Sequence, residues 1–253
     1  MTWRLRLHGV GNASAVELGS AMATLERDGE PWLTIDCGGE GLTAFLAHYG
    51  RMPEAVFLTH AHMDHIAGFE RLFVAHYFDE ARRGRLPRLY IPAPLVPLLQ
   101  QRVADYPNVL AEGGVNFWDA FQLVPVSGHF WHRGVRMEAF PVRHHWPDSA
   151  FGLRLRGSAV WTGDTRPIPE MLAQFANDGE VIAHDCALHG NPSHSGIEDL
   201  EREYPPALLN RCVLYHYASR EDGDALAARG YRVGRPGEAI DLADPTAAQV
   251  PPS

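Results

Sequence analysis

Residues 58–68 read LTHAHMDHIAG, which places His60, His62, Asp64 and His65 within six residues at the end of an apolar run. Imidazole and carboxylate are the donors that zinc prefers. Two histidines at i and i+2 can close on one ion while the following Asp-His pair closes on another. The preceding EAVFLT reads as a buried strand and the following IAGFERLF as the start of a helix. The cluster therefore sits at a strand-to-helix junction, where α/β proteins carry their sites. A centre for two metal ions is the first expectation.

The chain around it has 253 residues, 45% hydrophobic and 21% charged, an ordinary globular composition. A net charge of -9, from 22 basic and 31 acidic residues, argues against a broad footprint for long nucleic acid. An anionic substrate would be small, or held by metal. Cys37, Cys186 and Cys212 are odd in number and lack zinc-finger spacing, which points to a reducing, cytoplasmic setting. The opening MTWRLRLHGV has no secretory apolar run, and its alternating Arg and Leu fit a strand. No apolar stretch is long enough to span a membrane. The closing DPTAAQVPPS offers little to pack, so 244–253 is expected to be a loose tail behind one domain over 1–243.

Coarse periodicity gives strands at Trp3–His8, Ser20–Glu26 and Trp32–Asp36, then a helix near Leu42–His48. After the histidine cluster, FERLFVAHYFDEARR is helical, LPRLYIP a strand and PLVPLLQQRVADY helical again. In the second half VRMEAFPV, AFGLRLRG, SAVWTGD, EVIAHDC and RCVLYHY read as strands, and PEMLAQFAND as a helix. Two such halves predict an α/β fold of two sheets packed face to face with helices outside.

Two ions need more than four donors, and further candidates stand at strand ends. They are His144 or His145 in FPVRHHWPD, Asp164 in VWTGDTRP and His216 in VLYHYASR. Phe140, Val142 and His144 share one face of an extended strand, which favours His144 and leaves His145 for the substrate.

THAHMDH resembles the H-x-H-x-D-H signature of metallo-β-lactamase fold hydrolases, and LTIDCGG resembles their upstream Asp-Gly segment. The resemblance implies a four-layer αββα sandwich. It also implies one ion held by His60, His62 and His144, a second by Asp64, His65 and His216, and Asp164 bridging. Asp36 would receive a ring N–H from a ligand histidine. The ions would be zinc, with manganese or iron as alternatives. The bridging aspartate speaks against a β-lactamase, and the third segment lacks the GHTPGH phrasing of glyoxalase II and lactonases. V-x-H, then Gly152 and Arg154, then WTGDT is similar to the ribonuclease Z branch, which also holds cyclic-nucleotide phosphodiesterases.

VIAHDCALHGNPSHSG resembles that branch's H-E-A-T segment and later H-S-T, with Asp in place of Glu and Cys186 in place of Ala. The resemblance casts Asp185 as orienting His194, which would protonate the leaving oxygen or steady the phosphate. Asp64, His194 and Asp185 are thus the candidate catalytic residues. Only nineteen residues, 145–163, separate His144 from Asp164, too few for the long arm used in tRNA 3′ processing. The expected function is therefore hydrolysis of a small phosphodiester such as a cyclic nucleotide, with Arg220 as a phosphate clamp and Trp146 or Tyr217 stacking a base. A ribonuclease Z-type endonuclease and an ester, thioester or lactone hydrolase are the alternatives, and a homodimer is the implied assembly.

Overall fold

Trp3, Leu5 and Leu7 point inward from β1 (Trp3–Gly9) while Arg4 and Arg6 point away, as the alternation requires. The computed structural model describes residues 1–79, 85–105 and 113–245. β1 pairs antiparallel with β2 (Met22–Arg27), which pairs antiparallel with β3 (Glu30–Ile35). From β3 the sheet continues in parallel through β4 (Ala55–Phe57), β5 (Arg88–Pro92) and β6 (Gln122–Val126). The second sheet is built from β7 (His129–His132), β8 (Val135–Pro141), β9 (Phe151–Leu155), β10 (Ala159–Trp161), β11 (Val181–Asp185) and β12 (Cys212–Tyr215). β7 to β10 are antiparallel neighbours, and β10, β11 and β12 run parallel. β13 (Ala239–Leu242) returns to pair with β1. The orders are β13-β1-β2-β3-β4-β5-β6 and β12-β11-β10-β9-β8-β7.

Successive residues of one strand serve different layers. Phe57 and Tyr90 join Leu5, Leu25, Met137, Leu153 and Trp161 between the sheets. Val56, Leu58, Leu89 and Ile91 instead pack against α1 (Gly39–Tyr49), α2 (Met63–Ile66), α3 (Phe69–Tyr77) and α4 (Val96–Leu99) through Leu42, Phe45, Ile66, Phe69, Leu72 and Leu99. On the second sheet's far side lie α5 (Pro169–Phe175), α6 (Ile197–Glu203), α7 (Pro206–Leu209) and α8 (Arg220–Ala228), with Leu172, Ile197, Leu200 and Leu226 buried. The result is the αββα sandwich.

Several elements depart from the expected bounds. α1 begins at Gly39, three residues early, because the extended Gly38 serves as its N-cap. The run expected as one helix over PLVPLLQQRVADY passes from a 3₁₀ turn at Ala93–Leu95 through α4 to a π-turn at Gln100–Ala104. β6, β7 and β13, all sheet edges, do not follow from periodicity; β6 even carries Pro125, which an edge tolerates. Residues 80–83 of the FERLFVAHYFDEARR run and the expected tail from 246 onward lie outside the described residues.

Candidate metal centre

β3, β4, β8, β10, β11 and β12 deliver their carboxyl ends to one edge of the sandwich. Asp36 follows β3, Thr59 and His60 follow β4, His144 follows β8, Asp164 follows β10, Asp185 closes β11 and His216 follows β12. Asp36 and His216 stand in the left-handed region, φ 65° and 73°, sparsely populated for non-glycine residues and typical of functional sites.

Two donor sets converge there. The first comprises His60, His62, His144 and Asp164, the second Asp64, His65, Asp164 and His216; within each set the donor atoms lie within 4.8 Å of one another. Asp164 belongs to both. His62 Nδ1 is 3.1 Å from His60 Nε2 and 3.3 Å from His144 Nε2. Asp164 Oδ2 is 3.5 Å from His60 Nε2, 3.3 Å from His65 Nε2 and 3.1 Å from His216 Nε2. Despite that proximity, His65 Nε2, His216 Nε2 and Asp164 Oδ1 are buried without a hydrogen bond. Such groups aim at common points rather than at each other, the arrangement that suits divalent cations.

The outward ring atoms are tied down. Asp36 accepts the Thr59 N–H at 2.7 Å, the Thr59 hydroxyl at 2.8 Å and His65 Nδ1–H at 2.7 Å. Thr59 Oγ1, having given its proton to Asp36, accepts from His60 Nδ1–H at 3.1 Å. His144 Nδ1–H donates to the Ser193 carbonyl at 3.0 Å. Each contact keeps a hydrogen on Nδ1 and turns Nε2 inward.

Burial lowers the pKa of His60 well below the usual range and that of His144 to about 4, so both are neutral donors at pH 7. Burial opposes the proton on His216 too, but Asp164 and Asp185 lift it to about 10. His65 is raised in the same way by Asp164 and Asp36. Burial works against ionised Asp164, yet His216, His65 and His60 hold its pKa well below the carboxylate range. The carboxylates are thus balanced by protonated His65 and His216, and a cation entering the site would displace those protons.

Beside the second set, Asp185 is fully buried, with Oδ2 2.8 Å from His194 Nδ1 and Oδ1 3.4 Å from His216 Nδ1. It also accepts the Thr165 N–H at 2.8 Å. The shorter reach of Asp relative to Glu does not break the contact with His194. His194 lines a cavity of about 260 Å³ together with Asn12, Ser14, Asp64, Asn191 and His216. A larger cavity, about 560 Å³, lies around Glu54, Arg88 and Arg133 and contains none of the converging donors.

All seven expected ligands come together, as do Asp36, Asp185 and His194. His145 contacts His62 but is outside both donor sets. Arg220 opens α8, pairs with Glu17 at 3.6 Å and is not among the residues lining the cavity. The expectation that Tyr217 stacks a base is corrected: its ring is fully buried and its hydroxyl donates to the Gly234 carbonyl at 2.7 Å. Trp146 remains 63% exposed. Sequence reasoning missed Thr59, Asn12, Ser14 and Asn191. Thr59 stood inside the quoted motif, whereas GNASA signalled only a turn.

The Anti-Pycsar protein Apyc1 of Saccharibacillus brassicae is 29% identical over 230 residues, covering 86% of this chain and 91% of that relative. Ribonuclease Z of Deinococcus radiodurans is 25% identical over 266 residues, covering 79% and 80%. A diphosphatase of the PhnP family superposes with a TM-score of 0.73 at 18% identity, over 95% of this chain and 97% of its own, a likeness of fold. The family described as Anti-Pycsar protein Apyc1 matches residues 3–237, and on that match the chain, a metallo-β-lactamase fold hydrolase, belongs to it.

Proposed function

We propose that the chain hydrolyses a small phosphodiester, such as a cyclic nucleotide, at two divalent ions, zinc in first place and manganese or iron as alternatives. The observation that carries this reading is Asp164, shared by two donor sets beside the His194–Asp185 pair. His60, His62, His144 and Asp164 would hold one ion, and Asp64, His65, His216 and Asp164 the other. Bound there, the ions would bring the ionisation of water toward neutral pH and offset the charge on the phosphate's non-bridging oxygens.

The chain's own residues supply the rest. Burial raises the pKa of Asp185, but His216 and His194 outweigh it, so the carboxylate stays ionised. It accepts His194 Nδ1–H, which orients the ring and leaves Nε2 turned toward the departing oxygen as its proton donor. Asn12, Ser14 and Asn191 supply polar groups at the cavity wall, and Trp146 is available to a base on the other side of His62. A cavity of about 260 Å³ is near the small end of ligand sites, roughly 300–1,000 Å³, which supports a small substrate. Arg220, paired with Glu17 at the start of α8, would leave that partner to clamp the phosphate.

The alternative with a specific observation behind it is an RNA endonuclease, favoured by the likeness to ribonuclease Z. Against it, residues 145–163 are taken up by a short loop and β9 and β10, with no protruding arm. A homodimer and a cytoplasmic setting belong to the same proposal. Val74, Tyr77 and Phe78 expose apolar surface on and beside α3, and the three cysteines are buried and unpaired. No helix among the described residues is long and apolar enough to cross a membrane.

A panel of 2′,3′- and 3′,5′-cyclic nucleotides, a pre-tRNA, bis(p-nitrophenyl) phosphate and p-nitrophenyl esters tests the reading on the metal-loaded enzyme. Turnover of a cyclic nucleotide is expected. Ester turnover without diester turnover would overturn it, and preference for pre-tRNA would move it to the endonuclease.

A further inference from the structure

In the first donor set, each imidazole turns one ring nitrogen inward and has the other bonded. His60 Nδ1 is held by Thr59 Oγ1 and His144 Nδ1 by the Ser193 carbonyl. His62 differs in using Nδ1 inward, toward His60 Nε2 and His144 Nε2. Its outward atom is therefore Nε2, and the group facing it is His145 Nε2 at 2.9 Å. His60 and His144 carry their ring hydrogens on Nδ1, so their inward Nε2 atoms present lone pairs. Holding an ion through Nδ1 would leave His62 with its hydrogen on Nε2, where it would donate to His145 Nε2.

The loop is shaped for this contact. His145 takes a left-handed backbone, φ 58°, unusual for a residue with a Cβ. Ser149 Oγ closes the turn by reaching both the His144 and the Trp146 carbonyls at 2.7 Å. Phe151 N–H donates to the Thr59 carbonyl at 2.9 Å, which ties the loop's far end to the strand that carries His60. A left-handed residue directly after His144 sends the two neighbouring imidazoles to different atoms of one partner: His144 to Nδ1 of His62, His145 to Nε2.

We propose that His145 is a positioning residue that fixes the tautomer and orientation of His62, and so tunes the affinity of the first donor set for its ion. The inference rests on the metal-centre reading above. It replaces the substrate-facing role that the sequence suggests for His145.

The test is competition for Zn²⁺ against a chromophoric chelator, with wild type, His145→Gly and His145→Gln. Glycine suits the left-handed backbone while removing the acceptor, so the fold should persist and one of the two ions should bind about 10- to 100-fold more weakly, the usual effect of losing such a partner. Gln offers an acceptor oxygen on a side chain of similar reach and should recover most of the affinity. In the zinc-loaded protein, the His62 Nε2–H resonance should be protected from solvent exchange in wild type and Gln, and lost in Gly. Unchanged affinity for both ions in His145→Gly would overturn the inference, with or without a raised KM. So would equal losses in the Gly and Gln variants. Wild-type protein that takes up no Zn²⁺ would overturn the metal-centre reading itself, a distinct result.

Discussion

Asp185 reaches two histidines at once, and that decides what each substitution nearby should do. His194→Ala removes a group outside both donor sets, so ion content should stay while kcat falls by roughly 10²- to 10⁴-fold, the usual worth of general acid catalysis. The loss should shrink with p-nitrophenolate as leaving group and stay large with a ribose alkoxide. Equal losses on both would make His194 a phosphate contact instead. Asp185→Asn should act more broadly, because Oδ1 stands 3.4 Å from His216 Nδ1. It should weaken the ion held by the second set as well as slow the chemistry, measurable as metal content after dialysis. The candidate metal donors were legible in the sequence because imidazole and carboxylate spacing is itself the chemistry. The contact partners were not. Tyr217 and Trp146 both stand close in sequence to candidate ligand histidines, and only packing separates the buried Tyr217 from the exposed Trp146.

At the scale of elements, continuous apolar runs gave away the strands of the two sheet centres, which are buried on both faces, and capping moved the start of α1. Edge strands such as β6, with Pro125, carry a weaker hydrophobic pattern because one side of each lacks a partner strand, so they escaped notice. The turn between β3 and α1 is stitched to α2 and the residues after it. Cys37 N–H donates to the His65 carbonyl, and the Cys37 carbonyl accepts Gly68 N–H, both at 2.8 Å. Gly38 fits between these elements: a Cβ there would overlap the Asp64 carbonyl oxygen and the Ser20 hydroxyl. Backbone cannot yield as a flexible side chain does. Gly38→Ala should therefore push α2 outward, cost about 1–3 kcal/mol of stability, and shift Asp64 and His65 enough to weaken metal uptake by the donor set they belong to. Urea denaturation together with metal stoichiometry checks both. Normal stability with normal loading would show that the turn relaxes freely.

Across the whole molecule, the two sheets are joined by apolar packing and by a few buried polar contacts, of which His132 is one with a pH consequence. It sits on β7 in the second sheet, yet its Nε2–H donates to the Trp32 carbonyl on β3 at 2.8 Å, and its Nδ1 accepts from the Tyr90 hydroxyl on β5 at 2.9 Å. Both bonds suit a neutral ring. Burial lowers the pKa of His132 from 6.5 to about 4, only partly offset by the Trp32 carbonyl. Between those two values the unfolded chain binds a proton that the folded chain refuses, so stability increases with pH across the window. The contribution is complete above about 6.5 and lost progressively as pH falls toward 4. Its ceiling is ~3 kcal/mol, at about 1.4 kcal/mol per tenfold difference in proton affinity. His132→Gln keeps a donor and an acceptor but does not titrate. It should lower stability at pH 7.5 through imperfect packing, yet lose less on acidification to pH 5 than wild type does. Urea midpoints with chelator present remove the ions' own pH dependence, leaving the difference between the two slopes to report on His132. Parallel slopes would mean that the buried ring keeps an ordinary pKa and that acid loosens the sandwich elsewhere.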